Sequence, residues 1–511
     1  MSQPAKHLLI DPRVVARSTN ATLVMGKARK HPANPLFGED RPWEDRFDNG
    51  YPNVVYDAQA GLYRCWYDPF MYDQAVRQTP PARRGRMTYL KAMQALRDPH
   101  HRTREMGVCY AQSRDGVHWD KPELGLIDWD GRTTNNIVVR DNSLGDGLCV
   151  HGSGVMLDPR EQDPAGRYKM LTRLDRYEGT SSKLLAKWLA TAVSPDGLRW
   201  SDPQPCEGVD VAADTHNFPL WAPTLGKYVA ITRHKVTGAD GKTPVRVVAW
   251  TASRDWRHWC KPRIVLRGLD DALQIYSMPV TYHAGLYIGL AAIFNTRTDR
   301  VHTELAVSPD TKTWQRVCPG TPLVANTRRR GGYDWGCVYS AAPIFGADAV
   351  RVYYVGNDGR HFDWRKGYFC LASFRPDGLA GMAPRRADEP ASITTAPLRI
   401  HRPSRLTVSA DIARGGHVQV GVVGDPKRSL RRCIPLRRSG SDVTMAWGTG
   451  DLIPAGQIQL AFRLDRATLY AFGMRALGDI CSTSQCSGEA VTRQSNLPVL
   501  SLQPPLQSLR A

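Results

Sequence analysis

Ala192-Val193-Ser194-Pro195-Asp196-Gly197-Leu198-Arg199-Trp200 is the stretch whose repetition decides the fold. It returns as Ala111-Gln112-Ser113-Arg114-Asp115-Gly116-Val117-His118-Trp119, as Ser253-Arg254-Asp255-Trp256-Arg257-His258-Trp259, and as Ala306-Val307-Ser308-Pro309-Asp310-Thr311-Lys312-Thr313-Trp314, with Ser, Asp and Trp at the same offsets. A fifth copy, Arg375-Pro376-Asp377-Gly378, lacks the Ser and Trp. The Asp offers an acceptor to turn amides, the next residue tolerates positive φ, and the Trp packs beside the turn, so the motif is structural. Successive aspartates lie 81, 59, 55 and 67 residues apart, which suits one four-stranded propeller blade with its loops per interval. Strand-like runs precede every copy, at 62–67, 168–171, 228–231, 286–290 and 350–354. The expected fold is all-β: a five-bladed β-propeller over residues 31–388 after an N-terminal lead-in, 1–30.

Two stretches break the rhythm. Residues 82–106 carry Met87, Leu90, Met93, Ala95 and Leu96 near helical spacing, which predicts a helical insertion in the first blade, placed to cover the face that carries the site. From 389 to 476, Val418, Val420 and Val422 and then Ile458, Leu460, Phe462 and Leu464 alternate as half-buried strands do, predicting a C-terminal β-sandwich. Residues 477–511 are Ser-, Gln- and Pro-rich without periodicity, the composition of a disordered tail.

Composition narrows the function classes. Of 511 residues, 42% are hydrophobic and 23% charged, a globular balance. The longest apolar run, Leu286 to Phe294, is too short to cross a bilayer, so no membrane partner is expected. The first residues lack the apolar core of a signal peptide, and cytoplasmic residence is the expectation. The net charge of +19 comes from 53 Arg and 15 Lys against 49 acids, but the arginines sit in short clusters and no nucleic-acid reader motif accompanies them. Nucleic acid is therefore not an expected partner. Eleven cysteines, an odd number without CxxC pairs, read as reduced thiols. Walker, HExxH, GxSxG and dinucleotide signatures are missing, and no cofactor is expected. Nothing here implies an oligomeric state.

Propellers bind ligands at one mouth of the central channel, where the innermost strand of each blade begins. The segments before those strands hold Asp48 and Asn49; Asp146 and His151; Asp214, His216 and Asn217; Gln274 and Tyr276; and Tyr333, Asp334 and Trp335, with Trp43 and Trp221 nearby. Aromatic faces and planar polar groups suit a sugar, and carboxylates from different blades can supply the acid and the base or nucleophile of glycosidic cleavage. Asp48, Asp214, Asp334 and Asp146 are the catalytic candidates. Trp43, Asn49, His151, His216, Asn217, Gln274, Tyr276, Tyr333 and Trp335 are the substrate-binding ones. A turn-capping role is the alternative for each Asp. His151, His216 and Asp214 also have the chemistry to hold a metal ion on the axis or to contact phosphate, with hydrogen-bonding histidines in a polar pocket as the alternative.

On these residues the chain resembles the five-bladed propeller glycoside hydrolases of the invertase and arabinanase type (families 32, 43 and 68), the group that also holds levansucrases, xylosidases and β-mannoside phosphorylases. It is most similar to uncharacterised bacterial proteins described as invertase-like, through Pro42-Trp43-Glu44, Arg46-Phe47-Asp48-Asn49, Arg104-Glu105-Met106-Gly107-Val108-Cys109-Tyr110-Ala111, Lys121-Pro122-Glu123-Leu124-Gly125, Asn135-Asn136-Ile137-Val138, Asp214-Thr215-His216-Asn217 and Tyr333-Asp334-Trp335-Gly336. The resemblance spans about 30–476. It implies a glycosidase with Asp48 in the place of the nucleophile or base. The Arg-Asp-Pro motif of the family's middle acid occurs at Arg97-Asp98-Pro99, inside the insertion, and Asp214 is better placed. No Glu-Cys dipeptide supplies the general acid, so Asp334, Asp146 or Glu44 must replace it if the protein is active. A phosphorylase, in which inorganic phosphate attacks, and a sugar-binding propeller without chemistry are the alternatives. The expected partner is an oligosaccharide or other glycoside.

Overall fold

The computed structural model describes residues 6–140, 147–448 and 450–476. Five antiparallel sheets form the blades. Blade I runs Arg46–Asp57, Leu62–Asp73, Arg104–Ser113 and Ile137–Arg140, and blade II Leu148–Leu157, Tyr168–Tyr177, Leu184–Ser194 and Gln204–Pro205. Blade III is Phe218–Ala222, Lys227–Thr237, Pro244–Ser253 and Arg263–Leu266; blade IV is Leu273–Ser277, Leu286–Asn295, Arg300–Ser308 and Gln315–Val317, with Val280–His283 beside its second strand. Blade V takes Cys337–Ser340, Val350–Asn357 and Gly367–Phe374 from its own segment, but its outer edge comes from Arg29–Lys30 and Phe37–Gly38. The chain thus closes the ring by pairing a segment that precedes blade I with the last blade.

The repeated motif is the turn between the third and fourth strands of blades I to IV. In blade II the Ser194 hydroxyl accepts from the Gly197 amide at 2.8 Å, and Asp196 Oδ1 accepts from the amides of Leu198 and Arg199, each at 2.8 Å. The residue after the Asp has positive φ in all four copies, even where it is Trp256 (67°) or Thr311 (66°) instead of glycine. The turns also join neighbouring blades. Trp66 Nε1 of blade I donates to the Gly197 carbonyl at 2.6 Å, Trp250 Nε1 of blade III to Thr311 Oγ1 at 2.9 Å, and the Tyr353 hydroxyl of blade V to the Gly116 carbonyl at 2.9 Å. Apolar clusters lie between blades; one joins Trp66, Val108 and Tyr110 to Tyr168 and Met170. At the axis, Gly154 is pressed so closely against the Asn217 backbone that a Cβ would lie 1.9 Å from its carbonyl oxygen, which is why blade II begins with a glycine-rich stretch.

Two boundaries differ from those read in the sequence. Residues 6–25 are no free lead-in: Lys6–Leu8, Val15–Thr19 and Ala21–Met25 are strands of the same nine-stranded sheet as Ser404–Val422 and Leu460–Ala476. The chain also leaves the propeller before residue 388, since Ala380–Pro384 already pairs in that sheet, and Asp377, the fifth motif aspartate, accepts from Lys6 Nζ and the Ser409 hydroxyl. The expected sandwich is, in hydrogen-bonding terms, this one sheet with a two-stranded sheet, Leu398–Ile400 with Gly456–Ile458, packed on a common core of Val408, Val418, Val420, Phe462, Leu464 and Trp447. Leu8, Ile10 and Ala471 extend the blade IV–V core, so sheet and propeller share a buried seam. The insertion folds as three short helices, Gln74–Gln78, Pro81–Arg84 and Tyr89–Ala95, and residues 104–106 belong to the third strand of blade I. The expected tail, 477–511, and Asp146 lie outside the described residues. No helix among the described residues is long and apolar enough to cross a membrane.

Candidate functional site

A cavity of about 340 Å³ opens at the axis of the propeller, under the helical insertion. Of the residues proposed from sequence, Asp48, Asn49, His151, Asp214 and Tyr276 line it, each from or just before the innermost strand of blades I to IV. Tyr89, Leu90 and Met93 of the insertion form part of its wall.

Asp48 is delivered by an irregular strand start. Asp48 (φ 53°), Gly50 (63°) and Tyr51 (38°) all adopt left-handed backbone, and the pairing with the second strand shifts register between Arg46 and Gly50 and again before Asn53. Such a bulge re-aims a side chain, and left-handed geometry at non-glycine residues is a strain commonly held at functional sites. Blade V fixes the result: Asn357 Nδ2 donates to the Asp48 carbonyl at 3.0 Å, and Arg365 Nη2 donates to Asp48 Oδ1 at 2.6 Å and to Asn49 Oδ1 at 2.9 Å. Arg46 Nε adds a contact to Asp48 Oδ1 at 3.2 Å. Burial alone would raise the acid's pKa, but the guanidiniums of Arg365 and Arg46 outweigh it and hold the Asp48 carboxyl well below the usual carboxylate range. It is a carboxylate at every ordinary pH.

Asp214 is held the same way. Arg233 Nη2 lies 2.6 Å from Asp214 Oδ2, and His151 Nε2 lies 3.2 Å from Oδ1. Burial opposes ionisation here too, yet the Arg233 charge and the His151 contact keep this carboxyl well below its ordinary pKa. Arg233 stacks on Tyr276, 4.7 Å from the ring centroid. In the cavity wall, burial and the neighbouring Arg365 charge push His361 well below the usual histidine range, so it is neutral, and its Nδ1 is 2.8 Å from the Tyr339 hydroxyl.

The other candidates are placed elsewhere. Asp334 is fully buried against Lys30, Thr327 and the Tyr354 hydroxyl and is not among the residues that line the cavity. Tyr333 lies under the Lys30 ammonium, and Trp335 under Arg300. Trp43 donates to Asn136 and packs on Trp129 inside blade I, and Glu44 is buried against Lys121 and the Tyr67 hydroxyl. Asn217 is spent on the carbonyls of Gly152, Ala213 and Thr215, and Gln274 accepts from Arg246. His216 faces Asn53 Oδ1 at 2.8 Å and is pushed down to about 3 by burial. Among the described residues no group of three or more His, Cys, Asp or Glu is placed to hold a metal.

Sequence reasoning passed over Arg46, Arg104, Arg173, Asp175 and Tyr177, all of which line the cavity. A signal was present. Arg173, Asp175 and Tyr177 alternate at the end of the strand Tyr168–Tyr177, and so do Arg104 and Met106 at the start of Arg104–Ser113, which puts each set on one face. Polar alternation at one end of an otherwise apolar strand marks a mouth-facing rim.

No protein-family model matches the chain. Over 194 residues it is 27% identical to the uncharacterized protein MT1551 of Mycobacterium tuberculosis (strain CDC 1551 / Oshkosh), a match of 37% of this chain and 44% of that protein. The chain therefore spans less than half the length of the curated relative it matches. Among solved structures it is similar to an N-acetylgalactosamine deacetylase from F. plautii in complex with blood group B trisaccharide (TM-score 0.43, 15% identity, 70% of this chain and 96% of that one). It is also similar to a β-1,2-mannobiose phosphorylase from Listeria innocua (TM-score 0.42, 13%, 68% and 97%) and to a putative glycosidase from Bacteroides thetaiotaomicron VPI-5482 (0.41, 14%, 69% and 96%).

Proposed function

We propose that this protein cleaves a glycosidic bond in the axial cavity, with Asp48 as base or nucleophile. The observation that carries the reading is the state of Asp48: a carboxylate held ionised and aimed into a cavity by a strained bulge and two arginines. An ionised carboxylate accepts a proton from water or attacks the anomeric carbon; it does not donate a proton, so the leaving oxygen needs another source. His151 lines the same cavity with Nε2 against Asp214 Oδ1, and imidazole is the side chain most often used for general acid–base proton transfer. His151 is assigned the acid's role, with Asp214 orienting it and stabilising the positive charge that develops on the sugar.

The test is release of reducing sugar from a panel of aryl glycosides and oligosaccharides by the wild type, Asp214→Asn and His151→Gln. Release that falls at least a hundredfold in both variants while their unfolding temperatures stay within a few degrees supports the assignment. A panel that yields no product, or variants as active as the wild type, refutes it.

A further inference from the structure

Around the cavity stand five guanidiniums, those of Arg46, Arg104 and Arg173 in its lining and of Arg233 and Arg365 behind it, against the lining carboxylates Asp48, Asp175 and Asp214 and the neighbouring Asp73. Asp48 is shared by Arg365 and Arg46, Asp214 pairs with Arg233, and Asp175 with Arg173. Arg104 remains: its guanidinium is hydrogen-bonded to the Tyr89 hydroxyl and feels the charges of Asp73 and Asp48, with no carboxylate in direct salt-bridge contact among the described residues. Asp73, paired with it across the strands, accepts from the Tyr89 hydroxyl and the Val76 amide, so its charge acts on Arg104 without a direct salt bridge. Arg46, 1% exposed, keeps its Nη1 buried without any hydrogen-bond partner.

Tyr89 brings these two arginines together. Its ring lies under the Arg46 guanidinium, 3.7 Å to the centroid, and its hydroxyl meets Arg104. Arg104 in turn lies 4.8 Å over the Phe70 ring. Aromatic faces hold both cations in place; Arg104 is hydrogen-bonded to the Tyr89 hydroxyl, but Arg46 Nη1 stays unpaired, and a buried donor left unpaired costs free energy that an anion arriving between the two arginines removes.

Resting on the glycosidase reading, we propose that the substrate is an anionic glycoside, a sugar whose carboxylate, sulfate or phosphate substituent seats between Arg46 and Arg104. The shared chemistry is an oxyanion with two or three acceptor oxygens; free inorganic phosphate presents the same group, and the experiment separates the two.

Binding to the full-length protein is measured calorimetrically with D-glucuronate, D-galacturonate, D-glucose, D-galactose, inorganic phosphate and sulfate, for the wild type, Arg104→Gln and Arg104→Lys. The expected result is that at least one uronate binds ten- to a hundredfold more tightly than its neutral sugar, that Arg104→Gln abolishes the difference, and that Arg104→Lys, which keeps the charge, retains part of it. Equal binding of uronates and neutral sugars overturns the proposal. So does an unchanged uronate affinity in folded Arg104→Gln, and so does tight binding of phosphate with none of either uronate, which assigns the arginines to a free anion instead. Turnover is read separately on 4-nitrophenyl glucuronides and glucosides. Uronate binding without any turnover leaves the anion subsite standing and removes the glycosidase reading, whereas turnover of glucosides with no preference for uronates does the reverse.

Discussion

Replacing Asp68 by Asn should stabilise the protein above neutral pH far more than in acid. Asp68 sits on the second strand of blade I with its Oδ2 accepting from the Ser153 amide of blade II at 2.7 Å, while its Oδ1 is buried without a partner. Burial outweighs the hydrogen bonds from Ser153 and the Gly152 backbone and the nearby His151, and pushes the carboxyl up to about 7. An unfolded Asp titrates near 3.9. Below about pH 4 both states are protonated and the group contributes no pH dependence. Between about 4 and 7 the folded protein holds a proton that the unfolded chain has released, so stability falls as pH rises, and above 7 the loss is complete. Roughly three pK units at 1.36 kcal/mol each amount to about 4 kcal/mol, of which about 1.5 is already lost at pH 5. Asn keeps the shape and the Ser153 hydrogen bond and has no proton to lose, so it recovers about 2.5 kcal/mol more at pH 8.5 than at pH 5. At about 2.1 cal/mol/K per residue, a chain of 511 residues has an unfolding entropy of roughly 1 kcal/mol/K, which converts the difference to about 2–3 °C. Scanning calorimetry of both proteins at the two pH values measures it. An Asn variant whose gain is the same at pH 5 and pH 8.5, or one that is less stable at pH 8.5, refutes the reasoning.

Three further outcomes follow from the same contacts. Arg365→Met leaves Asp48 buried with Arg46 alone and strips partners from Asn49 and Asn357, so urea denaturation should show a loss of about 3–5 kcal/mol, and the acidic limb of any activity profile should move to higher pH as the Asp48 pKa rises. Asp196→Ala removes the acceptor of two turn amides far from the cavity, and should cost about 1–3 kcal/mol in urea melts with kcat/KM unchanged. Deleting residues 1–25 removes three strands from the nine-stranded sheet, and with them Leu8 and Ile10, uncovering the blade IV and V core residues they pack on, so the shortened chain should bind a hydrophobic dye and unfold at lower temperature; an unchanged melting curve contradicts the described pairing.

The propeller was legible because its repeat is a local device. Ser, Asp and Trp at fixed offsets describe one turn whose hydrogen bonds span only two or three residues, so each copy announces itself in the sequence. Asp48 and Asp214 were legible for a related reason, as polar residues at the entry of inner strands. What stayed hidden depends on contacts between distant segments. Arg365 reaches Asp48 across 317 positions from a loop with no motif of its own. Lys30 neutralises Asp334 only because residues 29–38 close the ring on blade V, and without that pairing Asp334 looked like a fourth axial carboxylate. The N-terminal strands were missed for the same reason: three short segments of ordinary composition become strands only against partners far along the chain, Leu460–Ala476, Ala391–Thr395 and Ala380–Pro384.

The most direct test of the proposed chemistry is kcat/KM for the best glycoside found, measured for the wild type and Asp48→Asn, with the unfolding temperature and far-ultraviolet dichroism recorded for both. The substitution keeps the side-chain shape and its contact with Arg365 while removing the charge that accepts the proton or attacks carbon. A folded variant that loses at least about a thousandfold is the predicted result. A folded variant within tenfold of the wild type contradicts it and leaves Asp48 as a carboxylate that only ties blade I to blade V.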